Sequence, residues 1–96
     1  MADSFFNPAK RKIAAGGLVL SMGFRQARTL DIAMVAAACG YDSFYVDMEH
    51  SAANMETIAD FALMSRALDF PIQVRPPKAN REWITRLLDV GVWNIH

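Results

Sequence analysis

His50 and Arg75 are the residues of this sequence whose types and positions could do chemistry. His50 follows Asp47 by three positions, with Glu49 between them. If the Asp47 carboxylate binds one ring nitrogen of His50, the other nitrogen is left to act as a base. An imidazole suits that role near neutral pH, because its unperturbed pKa is about 6.5. The alternative is that Glu49 and His50 only cap the next helix and face solvent.

Arg75 is constrained by the proline that follows it. Because Pro76 disfavours helical backbone at the preceding residue, Arg75 is expected to end an extended segment. A guanidinium there can hold a carboxylate through two parallel hydrogen bonds, although a structural ion pair at the surface is the alternative. Asp89 closes a predicted helix, where an acid opposes the helix dipole instead of complementing it. A solvated helix end would explain Asp89 equally well.

Alternating strand and helix patterns must position these side chains. Apolar or β-branched runs predict strands at residues 18–22, 43–47 and 72–75, and a fourth begins at residue 92. Thr29, Asn54 and Asn80 are predicted to cap three intervening helices, two of which end at Gly40 and Gly91. Repeated strand–helix units build parallel sheets with right-handed crossovers.

In such sheets, functional groups gather at the carboxyl ends of the strands. Residues 47–50 and Arg75 are therefore expected at one edge. No G-x-G-x-x-G spacing follows the first strand, which argues against a dinucleotide fold. A closed barrel needs eight strands and about 250 residues, so residues 1–96 are predicted to form the first half of a single (β/α)₈ barrel domain, cut within the fourth strand. His96 is assigned no role.

Composition limits the classes of partner. Ten acidic residues balance ten basic ones, so there is no electrostatic reason to expect nucleic acid or an anionic membrane as a partner. No apolar run approaches the ~20 residues that cross a bilayer. The single cysteine, Cys39, lies in an apolar run and is predicted to be buried, which fits a reducing cytoplasm.

One segment imitates a secretory signal. Basic residues 10–12 precede an uncharged stretch at 13–24, as in a signal peptide. Gly16 and Gly17 interrupt the apolar part, however, and no small-residue cleavage site follows it. We therefore expect a cytoplasmic protein.

Three blocks of sequence together resemble the HpcH/HpaI aldolases. They are Gly-Tyr-Asp-Ser-Phe-Tyr-Val-Asp-Met-Glu-His-Ser at 40–51, Gln-Val-Arg-Pro at 73–76 and Leu-Leu-Asp-Val-Gly at 87–91. The resemblance implies a (β/α)₈ TIM barrel and a class II, metal-dependent pyruvate aldolase. Such an enzyme reversibly cleaves a 4-hydroxy-2-oxo acid into pyruvate and an aldehyde.

The resemblance also implies roles for single residues. His50 would remove the proton of the 4-hydroxyl group, and Arg75 would contact the keto-acid oxygens. Asp89 would raise the basicity of the histidine, Asp47 would support the same ring, and Glu49 would lie next to the catalytic residues without contacting the substrate.

It further implies a divalent metal, Mg²⁺ or Mn²⁺, whose ligands lie beyond residue 96, so the 96-residue chain alone is expected to be inactive. Because Asp89 precedes the fourth strand, it is expected at the opposite end of its own barrel from His50. Any histidine that it serves should then belong to a neighbouring subunit of a homo-oligomer.

Two other interpretations remain open at the level of sequence. The chain could be a non-catalytic half-barrel that acts by associating with another chain. It could also belong to an unrelated barrel enzyme such as a phosphate-sugar isomerase, whose phosphate site would lie near the seventh and eighth strands.

Overall fold

The computed structural model describes residues 6–96, and its centre is a parallel sheet of four strands. The strands are β1 (Ser21–Phe24), β2 (Ser43–Asp47), β3 (Ile72–Arg75) and β4 (Asn94–Ile95). Each strand is parallel to the next in chain order, so β1 and β4 are the two edges of the sheet. The strand–helix repeat predicted from the sequence is confirmed.

Four helices accompany the sheet. A short helix, α1 (Pro8–Ala14), precedes β1, and the strands are connected by α2 (Leu30–Ala38), α3 (Met55–Leu68) and α4 (Arg81–Asp89). Among residues 6–96, none of these helices has the length and hydropathy that crossing a bilayer requires.

The predicted helix boundaries are largely confirmed. The side-chain oxygens of Asn54 and Asn80 accept hydrogen bonds from the backbone N–H three residues later, at 2.9 and 3.0 Å. Thr29 occupies the N-cap position of α2, but its side chain makes no capping hydrogen bond. Gly40 and Gly91 follow α2 and α4 with φ of 92° and 105°, a region that glycine enters without steric cost.

Helix α1 was not predicted, because the basic residues 10–12 and the uncharged stretch after them resemble a targeting signal. The helix is started by Asn7, whose side-chain oxygen accepts from two backbone N–H groups at 3.0 and 3.1 Å, and by Pro8 at the first helical position. Its Lys12 Nζ then lies 3.0 Å from a carboxylate oxygen of Asp42, just before β2. The basic run therefore belongs to a helix that forms an ion pair with a residue at the amino end of the sheet.

Strand β1 begins three residues later than predicted. Leu18 and Leu20, expected inside a buried strand, are 72% and 50% exposed, whereas Phe24 is 3% exposed. The Phe24 ring packs against Phe44 and Phe61, with ring centroids 5.2 and 5.8 Å apart. This aromatic contact fixes which residues of the apolar run pair with β2, and the run itself could not indicate the choice.

The two faces of the sheet differ in chemistry because successive strand residues point to opposite sides. One face packs against the helices and forms the core, and the other carries polar side chains such as Tyr45, Gln73 and Arg75. Fully buried on the core side are the strand residues Phe44, Val46, Ile72 and Val74, together with Ala33 and Ala36 of α2, Ile58, Phe61 and Ala62 of α3, and Leu87 of α4.

One expectation at the end of α2 was wrong. Cys39, predicted to be buried, is exposed, and Met34 of the same helix is 55% exposed. The buried face of α2 is instead made by Ala33 and Ala36, both completely inaccessible. Because this helix is apolar on nearly every side, its spacing does not indicate which face meets the sheet.

Candidate active site at the carboxyl edge of the sheet

The carboxyl ends of β2 and β3 lie side by side. Asp47 and Arg75 are register partners in the parallel ladder, and the Met48 N–H donates to the Arg75 carbonyl at 2.9 Å. Glu49 and His50, which follow Asp47, therefore lie at the edge of the sheet where Arg75 ends β3. Pro76 removes one donor and ends the strand there, as expected.

A two-point ion pair joins these strand ends. Arg75 donates from Nε to Asp47 Oδ1 at 3.1 Å and from Nη2 to Oδ2 at 2.5 Å. The Asp47 side chain is 4% exposed and that of Arg75 is 32% exposed. The hydrogen bonds from Arg75, assisted by two backbone N–H donors and opposed by burial, lower the pKa of Asp47 far below its usual range. The same pairing raises the pKa of Arg75, which stays charged.

The Asp47 carboxylate also holds the loop that carries His50. Its Oδ1 accepts from the backbone N–H of Glu49 at 2.8 Å and from that of His50 at 3.1 Å. The Ser51 hydroxyl donates to the Asp47 carbonyl, and Arg25 Nη2 donates to the His50 carbonyl at 3.2 Å. An aspartate that bonds backbone two and three residues ahead forms an Asx-type turn, so the position of the His50 main chain is fixed.

The imidazole itself is next to Glu49, and not next to the carboxylate predicted to orient it. His50 Nε2 lies 3.4 Å from Glu49 Oε1, and the same oxygen lies 3.5 Å from Arg75 Nε. The expectation that Asp47 binds the His50 ring is therefore corrected: Asp47 binds the backbone of His50 and the side chain of Arg75. Those bonds occupy Oδ1 and Oδ2 and leave the ring to Glu49.

The structure thus brings together four of the five predicted residues, Asp47, Glu49, His50 and Arg75. The fifth, Asp89, does not join them. Asp89 is the last residue of α4 and is exposed on the side where β4 begins, whereas the other four lie where β2 and β3 end.

Two residues at this edge were missed by sequence reasoning. Arg25 follows β1 directly and contacts the His50 carbonyl; it was overlooked because the strand was predicted to end before Gly23. His96 follows β4, where its N–H donates to the Val74 carbonyl at 2.8 Å and its ring meets Tyr45 edge-on, with centroids 5.5 Å apart. Both residues come directly after a strand, and that position is the sequence signal that could have identified them.

A metal site is not formed by the described part of the chain. Residues 6–96 contain no group of three or more His, Cys, Asp or Glu side chains arranged to hold a metal ion. The carboxylates at the edge are engaged with Arg75 and with backbone N–H groups. These residues do not fit a metal ion by themselves.

Comparison with known proteins gave matches among solved structures. No family model matches the chain, and no curated protein matches it. The HpcH/HpaI aldolase from Desulfitobacterium hafniense DCB-2 is 30% identical with a TM-score of 0.84, over 90% of this chain and 33% of that protein. Citrate synthase SbnG is 28% identical with a TM-score of 0.82, over 94% of this chain and 36% of that protein.

Macrophomate synthase, at 23% identity and a TM-score of 0.65, shares the fold over 92% of this chain and 30% of its own length. The chain therefore spans about a third of the proteins that it matches. Its parallel sheet with alternating helices is the first half of a TIM barrel, as the sequence predicted.

Proposed function

We propose the function of this chain from the premise that it belongs to the HpcH/HpaI aldolase family, of whose solved relatives it spans about a third. The proposed reaction is the reversible cleavage of a 4-hydroxy-2-oxo acid into pyruvate and an aldehyde. One observation supports it above the others: His50 follows β2, Arg75 ends the neighbouring β3, and a single Glu49 oxygen contacts both side chains. A base and a cation at the same edge suit a substrate with a hydroxyl group and a keto-acid group.

His50 is proposed as the base. It takes the proton of the 4-hydroxyl group, the C3–C4 bond breaks, C4 becomes the aldehyde carbonyl, and C3 keeps the electron pair as the enolate of pyruvate. A proton then returns to C3. The imidazole is 61% exposed, so substrate can reach it, and Glu49 lies against Nε2 where a positive charge would develop.

Arg75 is proposed to bind the keto-acid oxygens. Its Nε and one Nη2 donor are used by Asp47, and a guanidinium has five N–H groups, so others can face the substrate. Because Asp47 holds the guanidinium plane at two points, Arg75 needs little reorganisation when negative charge develops on the enolate oxygen.

Three further elements of the whole enzyme are part of the proposal. A divalent metal, Mg²⁺ or Mn²⁺, would be held by residues outside this chain and would supply Lewis-acid chemistry. Asp89 would act on a histidine of a neighbouring subunit in a homo-oligomer. The compartment proposed is the cytoplasm.

A second candidate function is a non-catalytic half-barrel that associates with another chain. It is favoured by the two edge strands and by large apolar side chains on the outer helices: Met34 and Leu88 are 55% and 54% exposed. Unpaired strand edges are paired or covered in most proteins.

The test is a retro-aldol assay on the full-length protein, with pyruvate measured through lactate dehydrogenase and NADH, with and without a chelator. His50→Ala should lower kcat by about a hundredfold or more, as expected for loss of a general base. Arg75→Ala should lower kcat/KM by a similar factor because charge on the enolate loses its partner.

Arg81→Ala, at the exposed start of α4, is the matched control and should keep normal kinetics. Full activity of the His50→Ala protein, or no pyruvate from any 4-hydroxy-2-oxo acid, would remove the enzymatic proposal and leave the second candidate.

A further inference from the structure

Arg25 is a second guanidinium at the edge that carries His50. It directly follows β1, is exposed, and donates from Nη2 to the His50 carbonyl at 3.2 Å. The main chain of His50 is thus in contact with Arg25 on one side, and the His50 loop is bound through Asp47 to Arg75 on the other. Two arginines therefore flank the proposed base, from the strands on either side of β2.

The two arginines differ in their counter-ions. Arg75 lies within 4.0 Å of two carboxylates, those of Asp47 and Glu49. Among residues 6–96, Arg25 has no acidic side chain within that distance, and its one hydrogen bond there is to a neutral carbonyl. A guanidinium whose charge is not neutralised at the mouth of a site attracts anions and can bind one through paired donors.

The two arginines leave the sheet from strands that are not neighbours. Strands lie about 4.8 Å apart, so the backbones at the ends of β1 and β3, with β2 between them, are about 10 Å apart. The guanidinium groups also have different partners, the Asp47 carboxylate for Arg75 and the His50 carbonyl for Arg25. Each arginine can therefore take its own anionic group, which suits a substrate with one such group on either side of the bond cleaved beside His50.

We propose that Arg25 binds an anionic group, a carboxylate or a phosphate, at the aldehyde end of the substrate, while Arg75 binds the keto-acid end. This inference rests on the proposed aldolase function and deepens it by assigning a residue to substrate selection. Arg25 would determine which aldehydes are accepted, and chemistry at the cleaved bond would stay with His50.

The competing explanation is that Arg25 only anchors the His50 loop. Loss of an anchor would misplace the base for every substrate, whereas loss of an anion contact would affect only substrates with a charged tail. The two explanations therefore predict different patterns over a substrate series.

The experiment compares three 4-hydroxy-2-oxo acids on the full-length protein, with tails that end in a methyl group, a carboxylate or a phosphate. Arg25→Gln should lower kcat/KM about ten- to a hundredfold for a charged tail, the usual effect of losing a charge-assisted hydrogen bond. The methyl-tailed substrate should change by less than about threefold, because the main chain of His50 is still held by Asp47 when the Arg25 contact is lost. The charged tail with the larger loss identifies the natural anion.

Arg25→Lys keeps the charge without the planar fork, so it should show a smaller loss confined to the same substrates. Arg28→Gln, an exposed arginine just before α2, is the control and should leave all three substrates unchanged. An equal loss on all three substrates in both Arg25 variants, or no loss on any, overturns the inference while the aldolase proposal stands. If the wild-type protein cleaves none of the three, the aldolase proposal fails and the inference fails with it.

Discussion

A single buried carboxylate organises the candidate site. Asp47 binds Arg75 through both oxygens and, through one of them, the backbone N–H groups of Glu49 and His50. Because the side chain is 4% exposed, its charge would be costly without those donors. The acid predicted to tune the imidazole instead holds the main chain of His50, the proposed base, and the guanidinium of Arg75.

Asp47→Asn tests this role. The amide oxygen can still accept from the two backbone N–H groups, but the ion pair with Arg75 is lost, which should cost about 1–3 kcal/mol at pH 7. The lower part of that range is expected, since Arg75 is 32% exposed. Urea unfolding of the full-length protein measures the loss, and Asp60→Asn on the exposed face of α3 is the control.

The difference in stability between the wild-type and Asp47→Asn proteins should depend on pH in a direction set by the lowered pKa of Asp47. The folded state depresses the pKa of Asp47, so its contribution to stability is complete above the unfolded value of about 3.9 and is lost as the pH falls towards the folded pKa. The wild-type and Asp47→Asn proteins should therefore differ most at neutral pH and converge below about pH 4. A difference that persists undiminished at pH 3 would contradict the assigned charge.

At the scale of elements, local signals predicted what depends on local interactions. Asn54 and Asn80 bind backbone groups three residues away, so a cap could be identified from the sequence. Where β1 begins depends on Phe24 packing against β2 and α3, contacts made across 20 to 37 residues of chain. An apolar run is equally compatible with several registers, and only the tertiary contact selects one.

The same reasoning separates what was predictable in the site. That residues 47–50 and Arg75 share an edge follows from parallel topology alone. The topology does not indicate which groups donate hydrogen bonds to Asp47, because Arg75 is 28 positions away and competes with a nearby imidazole for that carboxylate. Arg25 and its contact with the His50 loop required the true end of β1.

The turn between α1 and β1 offers a prediction at this scale. A Cβ added at Gly17 would lie 2.8 Å from Lys12 Cγ and 3.1 Å from the Lys12 carbonyl oxygen, and Lys12 holds Asp42. Gly17→Ala should therefore destabilise the full-length protein by about 1–3 kcal/mol, as overpacking does. Gly23→Ala is the matched control, because its Cβ would come no closer than 3.9 Å to Tyr45. Equal urea midpoints for the two variants would mean that α1 moves freely.

For the whole molecule, the positions of Asp89 and His50 matter most. They lie at opposite ends of the sheet, while β1 and β4 are edges and outer residues such as Leu88 are exposed. Within one barrel, Asp89 cannot serve His50. If both residues act in one reaction, the reaction site must be built by two subunits.

Mixed oligomers test that arrangement. If the full-length protein has the proposed aldolase activity and a shared site, His50→Ala and Asp89→Asn should each impair that activity. Co-expression of the two variants should then restore part of it, because some sites would receive both intact residues from different subunits. His50→Ala co-expressed with Arg75→Ala is the comparison; those residues lie on one edge of one chain, so no rescue is expected. Normal activity of Asp89→Asn alone would refute the shared site.

The backbone amides of Glu49 and His50 donate to a carboxylate that is nearly sealed from water, although both residues lie in an exposed loop. Their hydrogens should consequently exchange with solvent far more slowly than those of an ordinary surface turn. Two amide resonances in a loop would thereby report, in the full-length protein and without any substrate, whether the edge of the sheet is assembled.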